Sequence, residues 1–258
     1  MINLQKIFSV STVFLGLGSI ILYPCANIAQ PLNKTFQQKV AENAIQEWIN
    51  FNSSNPPVVK SKADVEKLEQ NPLEYSKCGI INKYWEAVPG TDSKPPSGDS
   101  CKLNTPQVKQ KEKWDGYPWS AAFISYIMKT SGAGNKFHYS GRHATYIVDS
   151  VKNKNTKNYP FRGYPIEKEK PEIGDLVCAP RGKSGNLKYS EILKKADFPS
   201  HCDIVVAKND NKNIEVIGGN VGDAVSKTIV PLNSGGYIQV VDKKFRPWFV
   251  VIKNSVVE

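Results

Sequence analysis

No pair of cysteines in this chain has Cys-x-x-Cys spacing. That removes the commonest structural zinc arrangement and argues against a metal site. There is no internal repeat, which excludes solenoid and array architectures. Low complexity is confined to one loop, roughly 90 to 104, rich in Pro, Gly, Ser and Asp. An acidic balance is also lacking, since the formal net charge is +10. The one long apolar run, Ile7 to Tyr23, is marginal in length for a membrane span.

That run follows Met1-Ile2-Asn3-Leu4-Gln5-Lys6 and precedes Pro24-Cys25-Ala26-Asn27-Ile28-Ala29. A basic start, an apolar stretch and a small residue near position 29 predict a secretory signal peptide over residues 1–29. An uncleaved N-terminal anchor is the alternative. Residues 30–258 are then a single exported domain, secreted or held in the periplasm or cell envelope. A hydrophobic fraction of 40% and a charged fraction of 22% suit a globular fold.

Export makes Cys78, Cys101, Cys178 and Cys202 candidates for disulfides, and four cysteines allow three pairings. Cys78–Cys101 would close the loop-rich stretch, and Cys178–Cys202 would join two predicted strands. Removing the signal segment takes away only Lys6 among the charges. The remaining lysines are scattered, which makes a solvated surface the plain reading. The sharper one is attraction to anionic wall polymers or membrane surfaces. Export argues against a nucleic-acid partner.

Thr35-Phe36-Gln37-Gln38 has the form of a capping box, and Phe36, Val40, Ala44 and Trp48 recur at helical spacing after it. The spacing predicts a helix to about Phe51. Residues 58–113 read as an irregular insertion with short helices near 63–70 and 80–87. A nearly all-apolar helix is predicted from Ser120 to Ser131, and another from Gly141 to Lys152. Strands are predicted at 176–179, 201–207, 214–217, 228–232, 237–241 and 248–252, joined by short turns. Helices first and strands afterwards make an α+β fold, with an antiparallel sheet or a partly closed barrel.

The chemistry gathers at three places. Ser120 stands at the mouth of the apolar helix, where unpaired N–H groups favour an anion or a developing oxyanion. Period-2 geometry puts His201, Asp203 and Val205 on one face of their strand and Cys202, Ile204 and Val206 on the other. Gly218-Gly219-Asn220 ends the next strand, and the Asn220 amide could orient an imidazole. Nucleophile, base and orienter then follow in the order Ser120, His201, Asn220, with Asp203 a second candidate for orienter. Taken singly, each has a plainer role: an N-cap, a hydrogen-bonded strand histidine, a turn residue. Tyr117, Trp119, His143 and Arg181 are candidate substrate contacts, Arg181 through a substrate carboxylate.

Four ordered segments carry a family resemblance over roughly residues 36 to 252. They are Trp119-Ser120-Ala121-Ala122-Phe123-Ile124-Ser125, Pro171-Glu172-Ile173-Gly174-Asp175-Leu176-Val177, His201-Cys202-Asp203-Ile204-Val205-Val206 and Ile217-Gly218-Gly219-Asn220. They resemble the motifs of CHAP and NlpC-type amidases and peptidases, which are papain-like. His143-Ala144-Thr145-Tyr146-Ile147 adds a likeness to an uncharacterised branch, the domain of unknown function numbered 2272. The resemblance implies a papain-like fold and hydrolysis of an amide bond in peptidoglycan, with no metal or organic cofactor. Two positions depart from the pattern: Ser120 replaces the family cysteine, and Gly218 replaces an acidic residue. A hydroxyl scarcely ionises at neutral pH, so Ser120 needs a true general base. The expectation is a secreted peptidoglycan amide-bond hydrolase. The alternative is an inactive module that keeps the cleft and binds wall fragments or a partner.

Overall fold

The first helix begins as its sequence dictates. In the computed structural model, which describes residues 34–90, 99–103, 117–243 and 245–257, Thr35 and Gln38 form a reciprocal capping box at the start of α1 (Phe36–Asn52). The expected signal segment, residues 1–29, lies outside the described residues. Phe36, Val40, Ala44 and Phe51 of α1 are buried. At its end the Asn52 amide donates to the carbonyls of Trp48 and Val225, which ties the helix to a distant turn.

The expected insertion is built into the core. Its elements are β1 (Val58–Val59), α2 (Lys62–Glu69), α3 (Cys78–Trp85) and α4 (Ser100–Leu103). Ile81, Tyr84 and Trp85 of α3 are buried in the main hydrophobic cluster. Cys78 is disulfide-bonded to Cys101, one of the two expected pairings.

Then come α5 (Ser120–Thr130), α6 (His143–Lys152) and strands β2 (Phe161–Pro165), β3 (Leu176–Pro180), β4 (Ser200–Asn209), β5 (Asn213–Gly218), β6 (Ser226–Pro231) and β7 (Val250–Asn254). The sheet has seven strands in the order β1-β6-β5-β4-β3-β7-β2. It is open rather than closed into a barrel. Among the described residues, only the edge pair β1–β6 is parallel. The fold is therefore α+β, as the order of elements predicted.

Two differences from the predicted strands have local causes. Residues 237–241 form no strand, only a bridge between Leu232 and Ile238. Pro231 ends β6 with no N–H to extend the ladder. Conversely, Phe161–Pro165 pairs along β7 although Gly163 and Pro165 are poor strand formers. Tertiary packing explains it: a Cβ on Gly163 would lie 2.6 Å from Ser150 Oγ, so α6 sits directly on this strand.

Alternation divides the sheet into two faces. Leu176, Cys178, Cys202, Ile204, Ile217, Val250 and Ile252 join the cluster that holds the buried residues of α1, α3, α5 and α6. Val177, Ala179, Val205, Val216, Val230 and Val251 form a second cluster with Trp248. Cys178 and Cys202 are direct cross-strand partners on the helix side and form the second expected disulfide. Two disulfides fit an extracellular or other oxidising environment. Among the described residues, no helix is long and apolar enough to cross a membrane.

Candidate active site

Two helix starts and the end of one strand pair converge on Ser120. Ser120 is the first residue of α5, whose N-cap is Trp119, and His143 is the first residue of α6, whose N-cap is Arg142. Neither cap makes a side-chain capping bond. The Ser120 hydroxyl is directed to the other helix start. It lies 2.7 Å from His143 Nε2. On the other side of the ring, His143 Nδ1 is hydrogen-bonded to the Tyr146 hydroxyl one helical turn on.

These groups sit at the bottom of a cleft of about 490 Å³, lined by Tyr117, Ser120, His143, Arg181, Phe198 and Ser200 among others. Ser120 is 2% and His143 4% exposed, so only the edge of each reaches the cleft. Burial, then the neighbouring His201, Arg181 and Arg246, hold His143 well below the ordinary histidine range. Burial, then the nearby Asp203, push the Tyr146 hydroxyl well above its usual range. The imidazole and the phenol are therefore both neutral at neutral pH. With Ser120 donating to Nε2, the ring proton sits on Nδ1 and is donated to Tyr146 Oη.

A second histidine pair lies beside the first. His201 Nε2 is 2.6 Å from Asp203 Oδ1, and the rings of His143 and His201 are 5.2 Å apart, centroid to centroid. Both residues are on the face of β4 that period-2 geometry assigned them. Burial alone would raise the Asp203 carboxyl, but the attraction and hydrogen bond of His201 hold it below the usual range. Burial lowers His201, with Asp203 pulling against it. The consistent state is a carboxylate accepting from a neutral imidazole.

Gly218 now has a physical reason. A Cβ there would lie 1.7 Å from Asp203 Oδ1 and 3.0 Å from His201 Nε2. The space that a side chain on β5 would fill is taken by a carboxylate from β4. Gly219 permits the other close approach: a Cβ there would lie 2.6 Å from Phe123 and 2.8 Å from Trp119. The end of β5 thereby presses against the start of α5 and fixes Ser120 relative to the sheet.

The sequence-predicted residues divide accordingly. Ser120, His143, Tyr117 and Arg181 meet at the cleft. His201 is bonded to Asp203, the second candidate for orienter, while the Ser120 hydroxyl is bonded to His143. Asn220 takes a left-handed conformation, φ 57°, as a turn residue, and it makes no side-chain hydrogen bond to His201. Trp119 is not a substrate contact: it is fully buried, stacked on Phe51 at 5.3 Å, with its indole N–H donated to buried Glu74. Tyr146 was missed as a site residue, although its spacing from His143 is the signal that could have found it. Arg142 and Asp197 form an ion pair of 3.0 Å at the cleft mouth. A larger groove of about 1000 Å³ runs along Tyr164, Tyr189 and Trp248 and holds none of these groups. Chemistry rather than size selects the Ser120 cleft.

Among the described residues, no three His, Cys, Asp or Glu side chains cluster as metal ligands. A sequence family described as "Uncharacterized protein conserved in bacteria (DUF2272)" matches residues 75–254. No curated protein and no solved structure matches the chain.

Proposed function

The chain belongs to that bacterial family, and we propose that it is a secreted amide-bond hydrolase of papain-like type that acts on peptidoglycan, with serine in the place of the nucleophilic cysteine. The observation that carries this reading is the 2.7 Å contact between Ser120 Oγ and His143 Nε2 at the bottom of a cleft. His143 takes the hydroxyl proton as Oγ attacks the carbonyl carbon, and returns it to the departing amine. Tyr146 holds the Nδ1–H tautomer. The N–H groups at the start of α5 and the positive end of its dipole face the developing oxyanion. Arg181 lines the same cleft and supplies a cation for a substrate carboxylate. His201 and Asp203 form a second pair whose carboxylate field reaches the Tyr146 hydroxyl. The basic surface favours an anionic wall polymer as partner.

One observation favours the alternative, a module that binds wall fragments without turnover. The group behind His143 is a neutral phenol, which stabilises an imidazolium less than a carboxylate does. The test compares wild type, Ser120→Ala and Ser120→Cys on purified peptidoglycan, with newly released amines as the readout. Release by the wild type, lost in Ser120→Ala, is expected. Release that survives Ser120→Ala overturns the serine mechanism. Retention on peptidoglycan with no release by any of the three supports the binding module.

A further inference from the structure

The second hydrophobic cluster, on the sheet face opposite the helices, borders a cavity of about 200 Å³ between β6 and the segment leading to β7. Its floor includes Thr228, only 2% exposed, whose Oγ1 has no hydrogen-bond partner. Its wall includes Arg246, whose Nε is buried and equally without a partner. The Arg246 guanidinium makes no ion pair or hydrogen bond with any described residue. Its neighbours are the rings of Phe245 and Trp248, 5.3 and 5.8 Å from Cζ. Asp203 attracts it but forms no ion pair with it and keeps its own Oδ2 unpartnered. Lys60 and Gln239 also line the cavity. Asp242 is the acid among the described lining residues, and one of its oxygens accepts from the Phe245 N–H.

A buried hydroxyl and a buried guanidinium Nε–H without acceptors are costly to keep. Valine would fill the Thr228 position at no such cost. Two residues that each keep a buried, unpartnered polar atom line one small cavity together with Lys60, and this cationic, hydrogen-bonding lining matches a compact anion with several acceptor oxygens. The volume suits a single oxyanionic group rather than a chain.

We propose that this cavity is a binding site for a small oxyanion, a phosphate or a carboxylate, held by the Arg246 guanidinium, the Thr228 hydroxyl and Lys60. The site is separate from the Ser120 cleft and does not depend on the hydrolase reading. Arg246 is also a cation whose field reaches His201 and His143, so an anion bound there is sensed at both pairs.

Inorganic phosphate and acetate are the probes, titrated into the full chain at constant ionic strength in a chloride buffer, with thermal midpoint and calorimetry as readouts. A saturable rise in midpoint with one or both anions is expected. The phosphate and acetate arms show which oxyanion is preferred. Thr228→Val should have a midpoint in chloride equal to or above wild type and bind the preferred anion about tenfold more weakly or worse. Arg246→Lys should weaken binding further, because the planar fork is lost. The absence of a saturable response to either anion overturns the proposal. So does a Thr228→Val protein that is destabilised in chloride and keeps the full wild-type response, since Thr228 then has a purely internal role.

Discussion

The two histidine pairs differ in what each has and what each lacks. The helix-borne pair, Ser120–His143, includes the proposed nucleophile, but a neutral phenol stands behind the imidazole. The strand-borne pair, His201–Asp203, has its carboxylate at 2.6 Å, but the Ser120 hydroxyl is bonded elsewhere. Under the proposed function, only one of the two is the base that acts on Ser120. The contact with Ser120 and the carboxylate partner are thus divided between adjacent elements. Rings 5.2 Å apart are close enough for the field of one pair to bear on the other.

The sharpest way to break this comparison is to exchange the roles by mutation. His143→Gln is expected to lower turnover of a peptidoglycan substrate by about 10³-fold or more, as loss of a general base does. His201→Gln should cost markedly less. Steady-state kinetics on both variants decides, and the reverse ranking would assign the base to His201.

The disulfide behind the strand pair gives the next largest effect. Replacing Cys178 and Cys202 together by alanine should lower unfolding free energy by roughly 3 kcal/mol, the scale for a closed loop of this size. Chemical denaturation measures it, and a loss below about 1 kcal/mol would show that packing alone holds β3 to β4.

Gly218→Ala should cost roughly 2 kcal/mol, because its Cβ collides with the Asp203 carboxylate. Combined with Asp203→Ala the collision disappears, so the two changes should be strongly non-additive in a double-mutant cycle. Simple additivity would mean that the carboxylate does not occupy the space beside Gly218.

Tyr146→Phe should lower kcat about tenfold with little change in KM, the scale of one lost hydrogen bond to His143. An unchanged kcat would leave Tyr146 a packing residue. The pH profile gives the finest discrimination. His143 is held well below its ordinary 6.5, so it remains neutral as pH falls through that value. The acid limb of kcat/KM should therefore lie below pH 6.5, and a limb above it would contradict a buried, neutral base.

Much of the fold and part of the site could be read from residue patterns. For the disulfides, spacing leaves three pairings, and only the predicted loop and strands favour the one found. The capping box at Thr35, the apolar helix at Ser120 and the face shared by His201 and Asp203 follow from local spacing. The Ser120–His143 pairing does not. It depends on two helix starts that meet across 23 positions of chain, and no periodicity reports such a meeting. Trp119 illustrates the converse. Next to a candidate nucleophile it reads as a groove aromatic, yet Phe51 and Tyr84 from distant helices enclose it. Strand β2 was invisible because its pairing with β7 overrides the poor propensities of Gly163 and Pro165. At Gly218 the Asp203 carboxylate from the neighbouring strand fills the space of a side chain, a cross-strand relation that residue order alone does not report.

The Cys178–Cys202 bond joins residues that face each other directly across β3 and β4. A slip of one residue between those strands would move His201 and Asp203 to the opposite sheet face, away from Gly218 and the His143 ring, and put apolar neighbours in their place. The covalent link makes that slip impossible once it has formed. It therefore acts as a register lock, and a chain that matured without oxidation would retain its composition and hydrophobic pattern but lose the guarantee of which side its acid and imidazole face.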